Sequence, residues 1–319
     1  MNAKENYLRA IRHDRPEWVP FGFEAVYFIS SPVVERPGQA GLDAFGVRWN
    51  LEENAEGGTY PAVDGHPVTD IGRWRSQVTF PDVNVLDWPD VRRRAAEVDR
   101  DEKLIMGFVE MGIFERSYLL LGMENALMAY IEEPERMEEI AAAIADYKIT
   151  LMERFDDEVD LDLVWYGDDW GTQESLFVSP DVWRRFVKPP TRRVYEAMKK
   201  RGVMIHQHSC GKIDAILGDV VEMGATTWEP CQPCNPLAEL KRLYGGRLAF
   251  SGGIDSQFVL DRPGTTPEEV RAEVRRRIDE MAEGGGYVAY PSHSVPYNQE
   301  LLNAMTDEIA VYGRNYYAR

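Results

Sequence analysis

Nowhere does the chain offer the roughly 18 consecutive apolar residues that a membrane-spanning helix needs. Its start, Met1-Asn2-Ala3-Lys4-Glu5-Asn6, does not run into an apolar signal segment either, so a cytoplasmic protein is expected. Cysteine is scarce: Cys210, Cys231 and Cys234 are the only three among 319 residues. Three thiols cannot build a disulfide framework, and a reducing compartment keeps them as thiols, which leaves metal binding or packing. Positive charge is also short, with 36 Lys and Arg against 54 Asp and Glu and a net charge of −18. That balance repels phosphate backbones and anionic lipid, which excludes nucleic acid and membrane surfaces as natural partners. It leaves solubility, or an acidic face for a basic partner protein.

Low-complexity segments, repeats and breaks in composition are missing as well, so residues 1–319 read as one domain. With 44% hydrophobic and 28% charged residues, the composition is that of an ordinary globular protein. The first stretch of about 75 residues is irregular and rich in Gly and Pro, and loops of that length usually have a job. Apolar runs then alternate with amphipathic stretches. Strands are expected at 19–23, 104–109, 161–167, 203–208, 226–229, 247–251 and 287–290. Between them lie helical patterns, among them 134–155, 179–200 opened by Ser179-Pro180, and one started by Thr266-Pro267-Glu268-Glu269. Strand, helix, strand at this spacing means parallel βα units. A Gly-rich phosphate fingerprint after the first strand is lacking, which speaks against a doubly wound open sheet. The expected fold is α/β, a (β/α)8 TIM barrel with an irregular N-terminal extension.

Chemistry in such a barrel gathers past the C-terminal ends of the strands. Seven successive strand ends carry polar groups: Glu24, Glu110, Asp168-Asp169, His206 with His208 and Cys210, Glu229, Asp255 and His293. A lone acid is usually a solvated loop residue, but this repetition points to an active site at the barrel mouth. His208 and Cys210 stand two apart on a strand and share a face, and imidazole plus thiolate suits zinc. Two ligands are too few, and His293 at another strand end is the natural third. The alternative is a hydrogen-bonded core histidine beside an inert thiol. Cys231-Gln232-Pro233-Cys234 has zinc or redox spacing, yet no second pair lies nearby. Coincidence in a loop is the plainer reading, unless the loop folds inward to the metal site.

The segments Tyr166-Gly167-Asp168-Asp169-Trp170-Gly171, Val178 to Trp183, Phe186 to Pro189, His208-Ser209-Cys210-Gly211, Leu248 to Asp255 and Gly285 to Pro296 resemble the uroporphyrinogen decarboxylase superfamily. The resemblance covers most of the chain from Leu104 onward and is specific in the second half. It implies a (β/α)8 barrel and one of two chemistries. One branch decarboxylates uroporphyrinogen without a cofactor. The other moves methyl groups between a corrinoid and a thiol such as coenzyme M, using zinc held by a His-x-Cys pair and a later cysteine. His208 and Cys210 match that pair, and His293 stands where the later cysteine is missing. The decarboxylase signature Arg-Gln-Ala-Gly-Arg has no counterpart in Val19 to Tyr27, which lacks any basic residue. A polyanionic tetrapyrrole needs guanidinium partners.

The function expected is therefore zinc-dependent methyl transfer between a small substrate and a corrinoid carrier on a partner protein. His208, Cys210 and His293 bind the metal. Asp168, Asp169 and Glu229 position the substrate or handle protons, and Glu24, Glu110 and Asp255 line the substrate site. The acids favour a cationic or neutral hydroxylated substrate. A metal-free decarboxylase or lyase using Asp168 and His293 is the first alternative. A non-catalytic binding barrel is the second.

Overall fold

The computed structural model describes residues 1–52, 58–293, 295 and 298–318. Its centre is a curled sheet of seven parallel strands, β1 (Val26–Ser30), β5 (Leu104–Val109), β6 (Leu163–Gly167), β7 (Met204–His208), β8 (Thr227–Glu229), β9 (Ala249–Ile254) and β10 (Tyr287–Pro291), in that spatial order. Between β1 and β5 the chain forms a separate antiparallel sheet of β2 (Gly41–Leu42), β3 (Arg48–Leu51) and β4 (Thr59–Pro61), inside the region expected to be irregular.

Six of the seven expected strands appear within one to three residues of their expected bounds. The first differs. Residues 22–25 form a turn in which Glu24 N–H donates to the Phe21 carbonyl at 3.1 Å, and the strand proper starts at Val26. Phe21 makes one parallel bridge to Ala289 of β10, so the segment just before the first strand ties back to the last one. Gly22 takes φ +45°, and a side chain there would meet the Tyr290 ring.

The helices follow their signals. Ser179 caps Pro180–Phe186 by accepting from Val182 N–H, and Thr266 with Glu269 forms a capping box on Pro267–Met281. The expected helix 179–200 is two helices, with Val187 between Phe186 and the second helix, Lys188–Lys200. Pro189 and Pro190 supply no N–H to a continuous ladder, so the chain restarts with its prolines in the first turn of the new helix.

Period-two alternation divides the sheet residues between two cores. One cluster gathers residues from the start of several strands: Val26, Leu104, Met106, Leu163, Ala249 and Val288. Tyr7 and Ile11 of the N-terminal helix Ala3–Ile11 pack into it and close that end of the sheet. The larger cluster lies between the sheet and its surrounding helices.

The N-terminal extension is fastened by buried charge. Arg116, on the helix Ile113–Leu121, bonds Asp43 at 2.7 Å and Glu35 at 3.3 Å, and its guanidinium lies 3.9 Å over the Phe45 ring. Lys148, on the helix Pro134–Val159, bonds both Glu35 oxygens at 2.6 and 2.5 Å. Burial pulls the Lys148 pKa down, with Glu35 acting against that pull. Asp43 also accepts from Phe45 and Val47 N–H, so the Asp43-Ala44-Phe45-Gly46-Val47 loop folds around its own carboxylate.

Candidate active site

At the C-terminal ends of β6 and β7, Asp169, His208 and Cys210 bring one donor atom each within 4.8 Å of the others. His208 Nε2 lies 3.5 Å from Cys210 Sγ and 3.5 Å from Asp169 Oδ1. His208 and Cys210 share the inward face of β7 and its extension, as their two-residue spacing requires. Asp169 follows β6, the neighbouring strand, where Gly167 pairs with His208.

Backbone contacts hold the two loops together. Cys210 N–H donates to Asp169 Oδ1 at 2.7 Å, Asp168 N–H to the His208 carbonyl at 3.1 Å, and Trp170 N–H to Ser209 Oγ at 3.0 Å. Gly211 has φ +83°, and a Cβ there would fall 2.2 Å from Gly171 backbone atoms. Only glycine permits both the conformation and the approach.

A second set of contacts aims the imidazole. His208 Nδ1 lies 2.6 Å from Glu229 Oε2, and Trp165 Nε1–H donates to the same oxygen at 3.1 Å. The Trp165 ring lies between His208 and Phe108, with centroid distances of 4.4 Å on each side. With Nδ1 facing a carboxylate, Nε2 is the nitrogen turned towards Cys210 and Asp169.

Burial works against a charged His208 ring, but Glu229, Cys210 and Asp169 outweigh it and hold its pKa well above the usual value. Glu229 is buried too, which by itself favours the neutral acid. The facing His208 overcomes that and lowers its pKa. Burial raises the Cys210 thiol, partly offset by His208. His206 is fully buried, and its pKa is pushed down to about 4.

The remaining expected residues fall in different places. Asp168 is buried beneath the site and accepts from Phe114 and Glu115 N–H at 3.0 and 2.8 Å, anchoring the start of a helix rather than facing solvent. Gly112, ahead of that helix, leaves room for it, since a Cβ there would strike the Asp168 side chain. Glu110 lies half-buried at the end of β5, lining a cavity of about 330 Å³ with Phe108, Ser30 and Arg36. Burial raises its pKa. Asp255 caps the turn Ser256–Leu260 by accepting from Phe258 N–H at 2.9 Å. Glu24 is exposed beside Lys103, which donates to its carbonyl just ahead of β5. That is the N-terminal end of the strands, because the chain turns before β1 instead of ending a strand at Phe23.

His293 is exposed, two residues past β10, and among the described residues it is not part of the donor group. Cys231 is buried and donates to the Trp228 carbonyl at 3.4 Å. Cys234 is half-buried and accepts from Asn235 Nδ2 at 3.5 Å.

Two contributors have no counterpart in the sequence reading. Trp165 is one; its inward parity with Gly167 was the available signal. Glu115 is the other, bonded by Tyr118 OH at 3.2 Å, with its pKa raised by burial and by Asp169 and Asp168.

The donor set suits a zinc ion with an open position: one thiolate, one imidazole and one carboxylate. Zinc bonds of about 2.0–2.3 Å at tetrahedral angles put neighbouring ligand atoms about 3.3–3.6 Å apart. Both His208 Nε2 contacts, at 3.5 Å, fall in that range.

The model of the uroporphyrinogen decarboxylase family matches residues 20–308. A methylcobamide:CoM methyltransferase of Methanosarcina barkeri is 30% identical over 132 residues, covering 40% of this chain and 37% of the relative. The corresponding protein of M. barkeri strain Fusaro is 26% identical over 132 residues, with the same coverage. The chain thus matches little more than a third of the length of these curated relatives. A solved methyltransferase from Methanosarcina mazei has the same fold, with a TM-score of 0.73 at 18% identity over 98% of this chain and 99% of that one.

Proposed function

The chain belongs to the uroporphyrinogen decarboxylase family, and from that premise we propose that it transfers a methyl group between a small substrate and a corrinoid carrier. The barrel we propose is of the (β/α)8 type, with the Phe21 segment as its eighth stave. Zinc would be held by Cys210, His208 and Asp169. Corrinoid chemistry finds its support in the two methylcobamide-dependent relatives, and the metal in the donor geometry.

The observation that carries the proposal is His208: one ring nitrogen is fixed by Glu229 and the other is aimed at a thiol and a carboxylate. Bound there, zinc would lower the pKa of a substrate thiol or hydroxyl and make it the better nucleophile. Glu229 holds the imidazole in one tautomer and orientation. The stack of Phe108, Trp165 and His208 fixes the ring plane and keeps water off that side. Glu110, in the neighbouring cavity, is placed to accept a hydrogen bond from the substrate. Asp168 shapes the site by anchoring the helix Ile113–Leu121, and Asp255 and Glu24 take no part in the chemistry. His293 is proposed as a residue of the mouth, outside the ligand set.

The test is anaerobic incubation of the zinc-loaded chain with methylcobalamin and a panel of small thiols and alcohols, following the visible spectrum. Loss of the methylcobalamin spectrum with formation of a methylated acceptor is expected. No demethylation with any acceptor, alongside decarboxylation of uroporphyrinogen, would overturn the proposal.

A further inference from the structure

Beneath Glu229, on the concave side of the sheet, four fully buried residues carry polar atoms without a hydrogen-bond partner in the protein: Tyr7, His206, Thr227 and Ser251. His206 is the most demanding, because both of its ring nitrogens are unpartnered. The four lie together. His206 pairs in register with Thr227, and Thr227 with Ala249, which belongs to the same packed cluster as Tyr7. Ser251 stands two residues past Ala249 on β9 and so shares its face. The Phe23 ring packs against Tyr7's cluster and lies 5.6 Å from His206.

Buried polar groups in native proteins find partners almost without exception. Here His206 Nε2 is 3.9 Å from Glu229 Oε2, too far for a direct bond. A neutral imidazole presents one donor and one acceptor, and each hydroxyl presents both. Groups buried this completely could be served only by a very small ligand with the same dual capacity.

We infer that ordered water occupies this interior, bonded to His206, Thr227, Ser251 and Tyr7, and that one such water, held also by Thr227, links His206 to Glu229. His206 is then a positioning residue. Through water it holds the carboxylate that in turn holds His208. The inference rests on the fold and on orphaned polar atoms, and it stands whether or not metal binds above.

A near-atomic-resolution crystal structure of the metal-free chain tests the water. Density within hydrogen-bond distance of a His206 nitrogen and of a second polar group in this layer is expected, with loss of a water in Thr227→Val. A dry interior, or His206 bonded directly to another side chain, overturns it. The positioning role is read from the downfield proton resonance of the His208–Glu229 hydrogen bond. Wild type and His206→Gln, which keeps a donor and an acceptor, should show it at the same position, whereas His206→Phe should shift or lose it. An unchanged resonance in folded His206→Phe overturns the role. If that variant does not fold, the shift expected in Thr227→Val decides instead, and an unchanged resonance there overturns it.

Discussion

His208 is the residue on which the site turns, and its environment makes a quantitative expectation. In the metal-free protein both His208 and Cys210 have raised pKa values, which favours the protonated form of each. Zinc must displace both, so binding at pH 7 should release about two protons per ion. The sign follows: affinity rises with pH and falls in acid. Titration calorimetry in buffers of different ionisation enthalpy measures the number directly. Replacing Glu229 with glutamine removes the charge behind the imidazole and should weaken zinc binding by roughly 10–100-fold, as loss of such supporting partners generally does.

Glu115 makes a different prediction at the same scale. Its folded pKa is raised by burial and by Asp169 and Asp168, so between the unfolded value and the folded one the native state binds more protons than the unfolded chain. Its contribution to stability is therefore present below the unfolded pKa and is lost as pH rises through the folded one. Glu115→Gln should melt higher than wild type at pH 8, and the gap should narrow at pH 5. Thermal denaturation at the two pH values decides it.

At the scale of elements, the N-terminal region is joined to the helices Ile113–Leu121 and Pro134–Val159 by Arg116, Lys148, Glu35 and Asp43. Taking one partner away leaves an uncompensated buried charge, so Lys148→Met should cost about 3–5 kcal/mol by denaturant titration. Replacing Glu35 with Gln in the same chain should recover part of that loss, which a purely steric effect of Met would not allow. The elements also show what can be read from residues alone. The run Leu104 to Val109 appears as a strand with those bounds, because one apolar stretch of that length bounded by polar residues admits little else. The first strand does not, because the turn at Gly22 to Ala25 depends on Phe21 finding Ala289 more than 250 residues away in the chain. Glu24 moved to the opposite end of the sheet with that shift. His208 and Cys210 were legible as a pair because strand parity is local. The residues alone point to His293 as the third ligand and to Asp169 as a substrate or proton-handling group. That Asp169 lies beside the pair depends on which loop packs against β7, which is not local information. Inward-facing Trp165 and the helix-borne Glu115 needed the packed structure as well.

For the whole molecule, among the described residues no helix is long and apolar enough to cross a membrane, and the net charge is −18. What binds the elements into one functional account is the proposed metal, so metal content is the decisive measurement. The chain, purified without chelator and then offered zinc, should hold one ion per chain by elemental analysis. Cys210→Ala and Asp169→Ala should hold substantially less while keeping the wild-type circular dichroism spectrum, and His293→Ala should hold one. Wild-type protein that binds neither zinc, cobalt nor nickel would contradict the account outright. Full occupancy in Asp169→Ala together with loss in His293→Ala would restore His293 as the third ligand.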